Sequence, residues 1–314
     1  MPGSTLMTPR VHILGAGGQL AHALVSTMPD IYDKPGRVAL YQRKDCDFTD
    51  PRSFENDTSL ALHPGDIVIN CAAYTDVDRA EDDPEGANQV NAQAPAALAR
   101  LCKKRGAQLI HMSTDYVFSG KDIGRPLETF DSTGATTVYG ASKAAGEAAV
   151  LEECPNNSVI IRTAWLFTGP LRDSWGLRSN DFVTTIQKLY QVKKKPIQVV
   201  DDQFGSPTYS MDLARGIWEV VGRLMQSEEL PQILHATNAG TTTWYAFASE
   251  IVGLSGGKRG RVMPCSSKDY PTKAERPHWS VLSGASWEDA GLTPLRHWKK
   301  ALAEALTMGA NTLE

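Results

Sequence analysis

Short apolar runs alternate with amphipathic stretches through the first half of this chain. Val11 to Leu14, Arg37 to Tyr41, Asp66 to Asn70, Gln108 to Met112 and Ser158 to Arg162 have the length and branched, apolar make-up of strands. The stretches between them read as helices. One starts at Gln19, and a short one opens at Asp50-Pro51, a capping residue followed by proline at the first helical position. Another covers Ala94 to Arg105 and stops at Gly106, and a longer one runs from Tyr139 to Glu153. This alternation predicts an α/β fold, a Rossmann-type doubly wound parallel sheet with helices on both faces.

Beyond Trp165 the pattern loosens. Thr168 to Asn180 is rich in Gly, Arg and Asp and reads as a mobile loop. A helix over Phe182 to Gln191, a strand over Ile197 to Val200, a helix over Met211 to Met225 and a strand over Ile233 to Ala236 follow. Trp244, Phe247 and Ile251 stripe a later helix, and a terminal helix starts near His297. The expected organisation is a dinucleotide-binding domain over 10–164, with elements at 181–236 adding to its sheet. A smaller C-terminal substrate-binding part is expected to take 165–180 and 237–314. Residues 1–9 read as a disordered lead, lacking the basic and apolar regions of a signal peptide.

Composition narrows the function classes. A net charge of −4 argues against a nucleic-acid groove or an anionic membrane surface as partner. No apolar run approaches the roughly 18–20 residues of a membrane span. Five cysteines, odd in number and without a C-x-x-C, fit reduced thiols in a cytoplasmic protein. The histidines show no metal-ligand spacing, so no metal is expected.

Three stretches carry the candidate chemistry. Gly15-Ala16-Gly17-Gly18-Gln19-Leu20 follows a strand and opens a helix, the context in which glycines let backbone approach a pyrophosphate at a helix N-terminus. Ser113-Thr114-Asp115 ends the fourth strand, at the edge where such sheets place ligands. Tyr139 and Lys143 are four apart, on one helix face. Taken singly these would be a tight turn, a strand end and a solvated face. In this order along a βα alternation, a hydroxyl, a phenol and an ammonium near a nicotinamide make a carbonyl reductase.

With Asn70 to Asp78, Ser113 to Phe118, Tyr139-Gly140-x-x-Lys143, Arg162 to Trp165, Asp202-Gln203-Phe204-Gly205-Ser206-Pro207-Thr208 and Arg276-Pro277-His278 in place, the chain resembles the extended short-chain dehydrogenase/reductase family. In the Asp202 to Thr208 run it resembles the dTDP-4-dehydrorhamnose reductase branch, and the likeness extends from Val11 to about Leu306. That resemblance implies NAD(P)H-dependent reduction of the C4 keto group of a dTDP-deoxysugar, the last step to dTDP-L-rhamnose. Tyr139 would protonate the sugar oxygen, Lys143 would favour the phenolate and hold the nicotinamide ribose, and Thr114 would bond the reacting oxygen. Asp115 would accept from sugar hydroxyls, and Trp165 would lie against the sugar's apolar face. Gly15, Gly18, Gln19, Leu20, Asp47, Phe48, Cys71, Ala72, Ala73 and Met112 would line the cofactor with Tyr139 and Lys143.

The chain departs from the family pattern at Ala21, at Tyr41 where an acid is common, at Asn180-Asp181 and at Leu282-Ser283. Tyr41 bears on the cofactor. With no carboxylate at the end of the second strand and Arg43 and Lys44 just beyond it, the site favours the 2′-phosphate of NADPH, NADH remaining an alternative. A dehydratase on this scaffold needs a further acid after Thr114-Asp115, and Tyr116 stands there. A non-catalytic subunit resembling the methionine adenosyltransferase β subunit, a 4-ketoreductase for another deoxysugar, and a homodimer stay open.

Overall fold

The computed structural model describes residues 9–54, 60–177 and 180–310. Six parallel strands form the central sheet: β1 (Val11–Leu14), β2 (Val38–Tyr41), β3 (Ile67–Asn70), β4 (Gln108–Thr114), β5 (Ser158–Thr163) and β6 (Ile233–His235). Their spatial order is β6-β5-β4-β3-β1-β2, so the chain leaves β1 to one side and returns to β3 on the other. Between β1 and β3 lies the switch point where open α/β sheets bind ligands, beyond the carboxyl ends of the strands. β1 and β3 are buried along their whole length, whereas β2, at the edge, is half exposed. Helices Gln19–Ser26 and Ser210–Met225 pack together on one face, and helices Ala94–Arg105 and Val138–Glu153 pack on the other. The disordered lead expected at the N-terminus falls almost wholly outside the described residues.

Of the expected elements over 181–236, only Ile233–His235 joins the main sheet, with Ile233 opposite Ile160. Ile197–Val200 pairs instead with Val262–Cys265, parallel, Ile197 opposite Val262. The reason is visible in its side chains. Ile197 and Val199 are buried against the helix Trp244–Leu254 while Gln198 faces solvent, a half-buried strand that could not sit inside a sheet covered on both faces. Two more short pairs, Leu166–Phe167 with Thr208–Tyr209 and Phe204–Gly205 with Thr242–Thr243, tie the later segments to the end of β5.

Thr168 to Asn180 is not a free loop where it is described. Thr168 and Gly169 N–H groups both donate to Asp181 Oδ2, at 2.7 and 2.8 Å, and a helical turn covers Leu171–Ser174. Leu171 and Arg172 are buried, and Trp175 stacks on His22 with ring centroids 5.4 Å apart. Asp181 also caps the next helix through Thr184, so one carboxylate anchors both ends of this stretch.

A π-helical stretch, Gln89–Gln93, leads into helix Ala94–Arg105 and turns Asn91 inward. Its amide accepts from Tyr74 N–H at 2.9 Å and donates to Ser142 Oγ at 2.9 Å, joining the loop after β3 to the helix Val138–Glu153. That helix approaches neighbouring backbone at two glycines. A methyl group at Gly140 would overlap the Tyr116 carbonyl, and one at Gly146 would overlap the Asn91 carbonyl.

Candidate active site

The glycine turn sits over the switch point. Gly15 and Ala16 N–H donate to the Tyr41 carbonyl, both at 3.0 Å, and Cys71 N–H donates to the Leu14 carbonyl at 3.1 Å. The loops after β1, β2 and β3 are thereby held together. Gly15 has φ of +78°, and a methyl group there would come within 2.7 Å of Ala72 N. Only glycine satisfies both demands. Above Gly17 there is open space, and Gly18 precedes a helix with no acidic residue in its first turn and no side chain capping it. The N-terminal N–H groups of that helix are left for an anion, which fits the pyrophosphate of a dinucleotide.

The expected cofactor residues divide by what they present. Leu20 and Phe48 put their side chains into the core, Phe48 edge-on to Phe54 at 5.1 Å, which leaves backbone alone to meet a cofactor at these two positions. Gln19 Oε1 accepts from Arg172 Nη1 at 2.5 Å and from Thr168 Oγ1 at 3.3 Å, coupling the glycine turn to the Thr168 segment. Cys71, Ala72 and Ala73 are half-buried, and enclosure pushes the Cys71 thiol up to about 12, so it is an unreactive wall. Arg43 is 75% exposed and 3.5 Å from Asp47, whose carboxyl is held below the usual range first by hydrogen bonds from Thr49. Tyr41 is committed elsewhere, its hydroxyl 3.0 Å from His12 Nδ1.

Helix Val138–Glu153 carries Tyr139 and Lys143 to the carboxyl end of β4. Lys143 is buried and donates to the Met112 carbonyl at 2.7 Å; burial brings its ammonium down to about 8. Thr114 Oγ1 donates to Asp115 Oδ1 at 2.8 Å and accepts from Tyr116 N–H at 3.2 Å. Burial pushes Asp115 up to about 6, with the Ser280 and Thr114 hydroxyls beside it working the other way, and no hydrogen bond reaches its enclosed Oδ2. A buried acceptor without a donor suits a substrate hydroxyl.

Tyr139 corrects one expectation. Its phenol is raised from the ordinary tyrosine value, chiefly by burial, with the neighbouring Thr114 hydroxyl working the other way. Lys143 does not outweigh enclosure, so the resting side chain is a phenol, the form able to donate a proton.

Trp165, at φ of +46°, stacks on Trp244 with centroids 3.6 Å apart, and its ring edge fills the space where Gly205 lacks a side chain. The Asp202–Thr208 run and the Arg276–Ser280 segment meet beside it: Phe204 N–H donates to the His278 carbonyl and Ser280 N–H to the Phe204 carbonyl, both at 2.8 Å. Arg276 donates to Asp78 Oδ2 at 2.5 Å and lies 3.4 Å from the Tyr116 hydroxyl, which is itself edge-on to Tyr139. Asp78 and Arg276 lie in two of the sequence motifs, with Ser280 just beyond the second, and the signal that points to them is an arginine in a Pro- and His-bearing loop. Behind the site, Glu147 accepts from Ser113 Oγ at 2.5 Å and from Arg162 at 2.9 and 2.7 Å, a buried ion pair joining helix, β4 and β5. Among the described residues no cluster of three or more His, Cys, Asp or Glu side chains could hold a metal, and no helix is long and apolar enough to cross a membrane.

A glycine cradle at the switch point, with a threonine, a tyrosine and a lysine at the end of β4, defines a short-chain dehydrogenase/reductase. Residues 9–310 match the model of the RmlD substrate binding domain family, and the chain belongs to that family. It is 40% identical to the dTDP-4-dehydrorhamnose reductase of Mycolicibacterium smegmatis over 98% of this chain and 88% of that one. Identity to the dTDP-4-dehydrorhamnose reductase of Mycobacterium tuberculosis is 42%, over 96% of this chain and 94% of that one. The solved dTDP-4-dehydrorhamnose reductase of Bacillus anthracis in complex with NADP superposes with a TM-score of 0.82 at 32% identity, covering 95% and 98% of the two chains.

Proposed function

We propose that this chain is an NADPH-dependent oxidoreductase that reduces the C4 keto group of dTDP-4-dehydro-L-rhamnose to give dTDP-L-rhamnose. The observation that carries this reading is half-buried Tyr139 set with buried Thr114 and Lys143, beside an Asp115 Oδ2 that no protein hydrogen bond reaches. When bound, the reduced nicotinamide supplies the hydride. The turn from Gly15 to Leu20 and the Cys71–Ala73 loop would hold its pyrophosphate and ribose side, and Arg43 would take the 2′-phosphate. Thr114 and Tyr139 orient the keto oxygen, and Tyr139 gives it the proton that completes the alcohol. Lys143, one turn away, stabilises the phenolate left behind. Asp115 accepts from a sugar hydroxyl, and Trp165, held by Trp244, offers an apolar face to the pyranose.

Five free cysteines support a reducing, cytoplasmic setting. Incubation of the purified protein with NADPH and dTDP-4-dehydrorhamnose tests the reading. Loss of nicotinamide absorbance with formation of dTDP-rhamnose is the expected result. Binding of NADPH without turnover would overturn it in favour of a non-catalytic subunit.

A further inference from the structure

Lys143 is enclosed, and its amino group meets two groups of β4: the Met112 carbonyl at 2.7 Å and His111 Nε2 at 3.4 Å. What His111 offers at that nitrogen is decided on the far side of its ring. Ala72 N–H donates to Asn70 Oδ1 at 3.0 Å, which identifies the oxygen end of the Asn70 amide. The NH2 end, Nδ2, lies 3.0 Å from His111 Nδ1 and can only donate to it. A neutral imidazole whose Nδ1 accepts carries its proton on Nε2. His111 is held neutral, well below its ordinary value, by burial and then by Lys143. The Nε2–H therefore points at Lys143 Nζ, where it is matched by the lone pair of an amine and opposed by an ammonium.

We propose that His111 is a positioning residue: locked by Asn70 as the Nε2–H tautomer, it donates to the Lys143 amine and so ties the proton state of that lysine to the Cys71–Ala73 loop. The proposal deepens the reductase reading and rests on it for the role of Lys143. The other ionisable groups around Lys143 are few. Glu147, one turn along the same helix, favours the ammonium but is itself bound by Arg162 of β5 and Ser113 of β4. Tyr139, one turn before, is held as a phenol by burial. From β4 only His111 and the Met112 carbonyl reach the amine. Burial brings Lys143 down to about 8, and an N–H aimed at its nitrogen works in the same direction.

Long-range 1H–15N correlation spectra of the full-length protein report the tautomer, and 15Nζ shifts of labelled lysine report the titration of Lys143 without any need for turnover. In the parent protein His111 is expected as the Nε2–H tautomer from about pH 6 to 9. Asn70→Asp keeps an acceptor for Ala72 N–H but can no longer donate, so His111 must turn to the Nδ1–H tautomer. Its Nε2 then accepts from the ammonium, and the Lys143 midpoint rises by about one pH unit or more. His111→Phe removes the donor without adding charge and moves the midpoint in the same direction. An Nδ1–H tautomer in the parent overturns the proposal, as does an unmoved Lys143 midpoint in His111→Phe. Should Asn70→Asp fail to fold, the parent tautomer and His111→Phe still decide. An inactive parent showing these spectra would count against the reductase reading alone.

Discussion

Gly146 of the catalytic helix lies so close to Asn91 that a methyl group at its Cα would overlap the Asn91 carbonyl oxygen. Lys143 is one turn before Gly146 on that helix, so the contact sets how deep the lysine sits below the loop after β3. Gly146→Ala gains at most about 1 kcal/mol of helix propensity and meets overpacking of about 1–3 kcal/mol against rigid backbone. The expected outcome is a lower Tm with a fall in kcat, read by thermal unfolding and steady-state rates. A more stable variant with parental kcat would contradict this packing.

Tyr139→Phe removes the proton donor and leaves the ring edge-on to Tyr116. Turnover is expected to fall about 10²–10⁴-fold with NADPH still bound, because one general acid is lost and the cradle is untouched. Nucleotide titration and single-turnover rates check both halves.

Trp165 has two duties, and its truncation should show both. The indole stacks on Trp244 and lies over Gly205, so Trp165→Ala is expected to cost about 1–3 kcal/mol of stability as well as raising KM for the sugar nucleotide. Trp165→Phe should recover much of the stability and less of the KM. Unchanged KM in Trp165→Ala would leave only the packing role.

Arg43 touches little else, being loosely paired with Asp47 and 3.5 Å from Thr49 Oγ1. Arg43→Ala should therefore leave Tm alone and lower kcat/KM for NADPH about 10- to 150-fold, the span of one charged hydrogen bond at about 1.5–3 kcal/mol. The value for NADH should barely change. Equal losses with both cofactors would remove Arg43 from the 2′-phosphate.

Asp115 gives the fold a pH signature. Burial raises its carboxyl from 3.8 to about 6, so the neutral form favours folding and that contribution is complete below the unfolded value. It is lost as pH rises through the folded value. Against Asp115→Asn, which stays neutral, the parent should lose stability between about pH 4 and 7, by roughly 1–3 kcal/mol. Denaturant midpoints across that range check the sign. A gap that closes toward neutral pH would show that Asp115 is not penalised by burial.

The βα order and the site's chemistry were local matters, legible because each strand and helix carried its own signal. Gly106 ends its helix in the left-handed conformation, at φ of +67°, as glycine after three basic residues announces. Gly15, Thr114, Tyr139 and Lys143 were found by spacing within single elements, and the sheet's topology then brought them to one edge. Gln198 in Ile197–Val200 was a readable warning that this strand has a wet face, although its partner 65 residues away at Val262 was not readable. Long-range choices of that kind depend on which apolar faces remain uncovered once the core has formed. The same holds for charge. A phenol beside a lysine suggests an easier proton, yet how far burial outweighs the lysine is decided by every group packed around Tyr139. Nor could any local pattern place Asn70 against His111 and His111 against Lys143, since those contacts join two strands and a helix. The sequence by itself determined which chemical groups this protein has and in what order the elements present them; the tertiary structure decided their proton states, because these depend on enclosure and on neighbours distant in the chain.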